Sequence, residues 1–407
     1  MDRARTRRDL LLRMLAASAA AAAIAAPASA AAEAASPAER PTRTVVDESP
    51  RELRELWTTE RLREAQSVAP AGGFEPATAP ELSEEQLETL ALPRLRPQRF
   101  AVAGTDREVG ATRRYPARVH GKLFLTIPGV GDASCSGTIV GSNGRNVVYT
   151  AGHCVYDRGR DQWATNVVFI PGYRNGATPF GVYAAADLWA LAGWTDLSLG
   201  LSETEANSFD VGVIVIAGQV QNRVGARGVA FNRPRAQRYS IYGYPSRPSP
   251  PYDGERLINC PAAAFRFTED ELPRLPPTAD PVSSVAAPCF MQQGSSGGGW
   301  VIEGGRVNSV VSHGFCDFIE ELCGHIHGPY FGQGARSLYV AAGGGDGKAA
   351  DSIVCGRAKR KLSRASKRLR KAKRADRKAG GARTAKRLRK AKKQRRKAAK
   401  PVRKQGC

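Results

Sequence analysis

Between residues 115 and 340 the apolar positions come in short bursts rather than long stripes. KLFLTI (122–127), CSGTIV (135–140), NVVYTA (146–151), NVVFI (166–170), DVGVIVI (210–216), RYSIYGY (238–244), GWVIEG (299–304) and RVNSVVSHG (306–314) alternate or run apolar for a few residues each. Gly, Asn, Asp and Pro interrupt them, as expected of strands joined by turns. Many such strands with few helices predict an all-β sandwich or pair of barrels, not an alternating βαβ sheet. Residues 184–192 read as a short helix because alanine dominates them, and 322–330 read as loop.

The flanks have different patterns. Residues 1–30 begin with arginines at 3, 5, 7, 8 and 13. An Ala-rich apolar run and Ala28-Ser29-Ala30 follow, the pattern of a cleaved export signal. Thr6-Arg7-Arg8-Asp9-Leu10-Leu11 has the form of a twin-arginine signal. Residues 31–114 are rich in Ala, Pro, Glu and Arg and have no cysteine. Helical patterns cover 50–65 and 82–92, the second with Ser83 and Gln86 in capping-box spacing. Pro/Gly/Ala-rich residues 69–80 separate them. Lying between a signal and the β-rich unit, this region reads as a propeptide, with Arg113-Arg114 an expected processing point. Arginines at 94, 96, 99 and 107 compete with it.

Beyond residue 346 come a linker and a polybasic tail. Small and apolar residues at 362, 365, 369, 372, 375 and 379, then at 385, 388, 391 and 398, recur at helical spacing around Gly380-Gly381. The pattern predicts a helical hairpin, with a disordered tail as the alternative. Charge sharpens the division. The chain of 407 residues has a net charge of +23, yet residues 356–407 hold 26 of the 61 Lys/Arg and one of the 38 acids. The rest is nearly neutral. Such a tail attracts polyanions, and the expected partner is an anionic cell envelope. Without aromatics to stack on bases, it does not suit sequence-specific nucleic-acid recognition. A nucleic-acid-binding protein would rest on the tail alone.

Eight cysteines in an exported chain favour disulfides over metal ligands. The economical pairs are Cys135–Cys154, Cys260–Cys289, Cys316–Cys323 and Cys355–Cys407. A zinc set of Cys316, Cys323, His325 and His327 has no common zinc spacing, so no metal or cofactor is expected.

The chemistry gathers at three places. In QQGSSGGGW (292–300), Ser296 sits among glycines that let another molecule approach the backbone N–H groups. That arrangement suits an acyl-transfer nucleophile with an oxyanion site. In TAGHC (150–154), His153 ends an apolar strand beside a cysteine that can tie to Cys135, a fixed place for a general base. Asp210 begins an apolar strand where an unpaired charge is costly, which marks it as the carboxylate partner over Asp187 and Asp196.

The order His, Asp, Ser, with CSG, TAGHC, FDVG and GSSGG, resembles the trypsin-like serine proteases of chymotrypsin fold. The likeness runs from about 115 to 340, within a protease domain expected over 115–345. GKLFLT, VVYTAGHCV, YDGERL and GPYFG look closest to secreted bacterial members, including the V8-like, glutamyl-endopeptidase-like branch. The resemblance implies two six-stranded antiparallel β-barrels with the triad His153, Asp210 and Ser296 in the cleft between them. It also implies an oxyanion hole from the N–H groups of Gly294 and Ser296. Phe290 stands where trypsin has its pocket carboxylate, so Lys/Arg specificity is not expected. Ser312-His313-Gly314 matches the segment that pairs with substrate backbone, with His313 replacing an aromatic. His313 favours an acidic P1 side chain and Phe290 an apolar one. Ser295 replaces the aspartate that pairs with a freed N-terminus in trypsin-like zymogens, which shifts the expectation toward a propeptide that blocks or templates the domain. The overall expectation is a secreted, monomeric serine endopeptidase acting on proteins or peptides. An inactive protease-like module that binds polyanions is the alternative.

Overall fold

The computed structural model describes residues 36–67, 106–247, 251–263, 284–314, 324–348 and 353–404. The signal segment, the Pro/Gly/Ala stretch, the helical pattern at 82–92, Cys316, Cys323 and Cys407 lie outside the described residues, as does the side chain of Cys355.

The first described segment carries β1 (Pro41–Val45), α1 (Pro50–Leu56), α2 (Thr59–Glu64) and β2 (Gln66–Ser67). One helix predicted over 50–65 is two, because the first ends at Trp57 and Thr58 caps the second by accepting from the Arg61 N–H. Ser49 opens α1 with a full capping box to Glu52 and Pro50 at the first position. β3 (Arg107–Glu108) follows.

The first barrel consists of β4 (His120–Ile127), β5 (Gly131–Val140), β6 (Val147–Thr150), β9 (Thr165–Pro171), β10 (Tyr183–Leu191) and β11 (Gly212–Ile216), with β7 (Tyr156–Asp157) and β8 (Gln162–Trp163) a small side ribbon. Antiparallel pairing runs β10-β11-β6-β5-β4-β9, and β9 meets β10 again to close the ring. Leu123, Leu125, Ile139, Val148, Val167, Phe169, Leu188 and Ile214 fill its interior. The helix expected at 184–192 is instead β10. Alanine's helical preference loses to ladders on both sides, from β1 and β11.

The second unit holds β12 (Gly228–Val229), β13 (Arg238–Gly243), β14 (Ile258–Ala263), β15 (Ser284–Pro288), β16 (Gly299–Ile302), β17 (Arg306–Val310) and β18 (His325–Pro329). The antiparallel order is β17-β16-β13-β14, and β15 pairs with β18. β18 rejoins the sheet through the His313–His327 bridge, enclosing Ile241, Trp300, Ile302, Val311 and Ile326. The loop expected at 322–330 thus contains a strand, its backbone donors and acceptors taken up by β15. The all-β expectation holds, with one closed six-stranded antiparallel barrel and further sheets beside it. Between the barrel and the second unit, Val140, Tyr149, Val213, Val301 and Val310 pack with α3 (Gln333–Ala341).

Residues 36–67 are woven into this frame. β1 adds an edge strand to β10 over five residue pairs, and Leu53, Trp57 and Leu62 are buried against Phe124, Val168 and Tyr173. Arg43 pairs with Asp187 and Arg61 with Asp132. The Glu39 carboxylate accepts from Gly334 N–H, 2.9 Å, at the start of α3. At the other end α4 (Ile353–Ala379) and α5 (Ala382–Lys404) form the helical hairpin, turning at Gly380-Gly381. Ala358, Ala365, Ala391 and Ala398 are its buried positions, and the basic side chains point outward. No helix among the described residues is long and apolar enough to cross a membrane.

Candidate active site

His153 lies on a one-turn 3-10 segment, Gly152–Cys154, directly after β6. The Cys135–Cys154 disulfide fastens that turn to β5. Position 152 must be glycine, since a Cβ there would stand 2.9 Å from Asp210 Oδ1 and 3.0 Å from the Trp194 ring. Asp210 is fully buried just before β11. Its Oδ1 accepts from the His153 backbone N–H at 2.7 Å, and its Oδ2 accepts from His153 Nδ1 at 2.8 Å and from Ser312 Oγ at 2.5 Å. Burial alone would push this carboxyl up. The electrostatic interaction with His153 and the hydrogen bonds from His153 and Ser312 outweigh it and hold Asp210 below the usual carboxylate range. The rival acids are engaged on the outside, Asp187 with Arg43 and Asp196 with Arg40.

Ser296 is fully buried on the glycine-rich turn leading into β16. Two strands of the first barrel hold that turn. The Ser296 carbonyl accepts from Ser136 N–H at 2.7 Å, and the Gly294 carbonyl from Ser136 Oγ at 2.7 Å. Gly297 packs on Thr150 and Ala151, the residues leading to His153. Gly294 and Gly297 have φ values of +85° and +78°, which favour glycine. Ser295 and Gly297 donate their N–H groups to the Gln292 and Val311 carbonyls. Among the described residues no acceptor takes the N–H of Gly294 or Ser296. Ser296 Oγ and His153 Nε2 are likewise buried without a hydrogen-bond partner among them. The site therefore holds an oriented histidine–carboxylate pair, a buried hydroxyl and two N–H donors with no acceptor among the described residues.

The remaining predicted residues surround this core. Phe290 packs with the buried cluster that includes Met291, Val311 and Ile326, and its ring faces Gly324. Ser312 and His313 are buried, and Gly314 is partly exposed. Burial pushes His313 down to about 4 against the opposing pull of Asp210. The Cys260–Cys289 disulfide ties β14 to the segment before Phe290. Two residues were not anticipated. Ser136 was legible only as part of CSG, yet its hydroxyl and amide organise the nucleophile turn. Ser67 comes from the N-terminal segment: β2 runs parallel to Ala133-Ser134 of β5, and a Cβ on Gly294 would lie 2.8 Å from Ser67 Oγ. A cleft of about 940 Å³ beside it is lined by Arg63, Ser67, Lys122, Ser246, Glu255 and Gln293 among others. Two groups of donor atoms within metal-binding distance, Cys135/His153/Cys154 and Asp106/Cys260/Cys289, each contain a disulfide, whose sulfurs offer no thiolate.

No family model matches the chain. The chain is 35% identical to AL20, a thermostable serine protease of an extremophilic microorganism, over 56% of its own length and 97% of that enzyme, with a TM-score of 0.47. It is 28% identical over 168 residues to an extracellular metalloprotease of Bacillus subtilis, and 26% identical over 149 residues to a glutamyl endopeptidase of Bacillus licheniformis. These matches take in 40% and 36% of the chain, and 48% and 42% of the two relatives. The chain thus spans about half the length of the curated relatives it matches. A closed six-stranded antiparallel barrel joined to a second β unit, matched across nearly all of the AL20 serine protease, defines the class as chymotrypsin-fold. With 35% identity across nearly all of a known serine protease, the chain belongs to the trypsin-like serine proteases of that fold.

Proposed function

We propose that the protein is a secreted serine endopeptidase using Ser296 as nucleophile, His153 as general base and Asp210 as the carboxylate that orients His153. The observation carrying this reading is the Asp210 carboxylate, which accepts from both the side chain and the backbone of His153. His153 Nδ1 is thereby the donor to Asp210, and the lone pair of Nε2 is free to take a proton. As Ser296 Oγ attacks a peptide carbonyl, its proton passes to Nε2 and the oxyanion meets the N–H groups of Gly294 and Ser296. The tetrahedral adduct collapses to an acyl-enzyme as His153 protonates the leaving amine. Water, deprotonated by the same nitrogen, then frees the acid. Each oxyanion donor is worth on the order of 3 kcal/mol in the transition state.

The apolar packing around Phe290 favours an apolar P1 residue. His313, buried and neutral, offers an acidic side chain no standing cation. Residues 31–114 act as a propeptide whose described part blocks the site by placing Ser67 against Gly294. The hairpin α4–α5 holds the enzyme to anionic envelope polymers. Secretion accords with the name of the extracellular relative.

Profiling cleavage of a peptide library tests the reading. The expected result is cleavage after apolar residues that disappears in Ser296→Ala. Equal cleavage by wild type and Ser296→Ala would refute the mechanism. Dominant cleavage after Glu would refute the pocket assignment alone. Envelope binding unchanged between low and high salt would refute the electrostatic role of the hairpin.

A further inference from the structure

Behind Asp210 the hydrogen bonding continues for two more residues. Ser312 Oγ lies 2.5 Å from Asp210 Oδ2 and 2.9 Å from His313 Nδ1. A hydroxyl has one proton, and an ionised carboxylate only accepts. The Ser312 proton is therefore given to Asp210, and His313 Nδ1–H must be the donor to Ser312 Oγ. This fixes His313 as the Nδ1–H tautomer. The ring is itself held in place, stacked on His327 with centroids 5.1 Å apart and planes 17° from parallel. The His327 N–H donates to the His313 carbonyl at 2.8 Å, and the Ser312 N–H to the His327 carbonyl at 2.9 Å.

We propose that His313 is a positioning residue of the triad, fixing the Ser312 hydroxyl so that it donates to Asp210. This rests on the triad reading above. It gives His313 a role distinct from lining a substrate pocket. The titratable groups around it are Asp210 and His153 on the triad side, and His327 and His325 from β18. With burial holding it near 4, His313 stays neutral at neutral pH. It therefore contributes a hydrogen bond and no charge.

The test compares His313→Phe with His313→Asn in steady-state hydrolysis of one fluorogenic peptide across the pH range. Phenylalanine keeps a ring over His327 and loses the donor, whereas asparagine places an amide N–H near the position of Nδ1. Chained hydrogen bonds strengthen one another modestly, so His313→Phe is expected to lower kcat about threefold to tenfold with little change in KM. Its less stabilised carboxylate interacts differently with the histidine that gains charge during the reaction, so the acid limb of kcat is expected to move up. His313→Asn is expected to recover most of both effects. An unmoved acid limb, a change confined to KM, or an asparagine variant no better than phenylalanine would each overturn the proposal. A wild-type rate equal to that of Ser296→Ala would instead remove the triad reading, and the proposal with it.

Discussion

Asp210→Asn is the substitution whose outcome the geometry constrains most tightly. Asp210 Oδ1 faces the His153 backbone N–H at 2.7 Å, which must keep an acceptor. The asparagine carbonyl is therefore fixed on that side and the NH₂ is turned toward His153 Nδ1 and Ser312 Oγ, where Oδ2 now stands. Two donors cannot face each other, so Nδ1 becomes an acceptor and the proton moves to Nε2. The base then has no lone pair to offer Ser296. Ser312 turns to accept from the amide, so the buried groups remain paired. The fold is expected to lose no more than about 2 kcal/mol. Activity is another matter: a wrong-tautomer triad falls by about 10⁴-fold in kcat, or about 5.5 kcal/mol of transition-state stabilisation. Steady-state hydrolysis near neutral pH, read beside thermal melts of both proteins, measures the two effects separately. An asparagine variant that is fully folded and within tenfold of wild type would refute the tautomer reasoning.

Other consequences reach further from the site. Replacing Cys135 and Cys154 by serine is expected to cost about 3 kcal/mol through the chain entropy of the opened loop, and to lower kcat by loosening His153, as measured by denaturant melts and hydrolysis. Leu53→Ala removes a side chain only 1% exposed and is expected to cost about 2–5 kcal/mol in calorimetry, whereas a freely removable N-terminal segment predicts almost none. If a protease site is inserted between Ser67 and Asp106 and cut, residues 36–67 are expected to co-elute with the catalytic unit in size exclusion. Prompt separation would contradict the packing of β1 and Trp57. The unfolded chain binds more protons than the fold below pH 6.5, because burial depresses His313 from 6.5 to about 4. Stability is therefore expected to fall as pH drops from about 6.5 to about 4, with a shallower fall in His313→Phe melts.

The strands and the candidate triad were legible because their signals are local. Each strand carries its own apolar run, and TAGHC and GSSGG hold the turn geometry within a few residues. The weave of residues 36–67 was not legible. PTRTV becomes a strand only because β10 presents an open edge, and β10 itself reads as helix until its two neighbours are in place. The strand at 325–329 was hidden for the same reason, since HIHGP lacks apolar alternation and depends on pairing with β15. His313 could be located from its motif, but its bond to Ser312 depends on the ring orientation set by His327. No sequence spacing encodes that. Ser67 at Gly294 joins two segments more than two hundred positions apart, with no motif at either end to announce the contact.

If Ser296 is a nucleophile activated by His153, covalent capture will report it. The purified protein is treated with a fluorophosphonate and the modified residue located by peptide mass spectrometry. A single adduct on Ser296 is expected, formed far more slowly in His153→Ala and absent in Ser296→Ala. No adduct, an adduct on another serine, or labelling indifferent to His153 would contradict it.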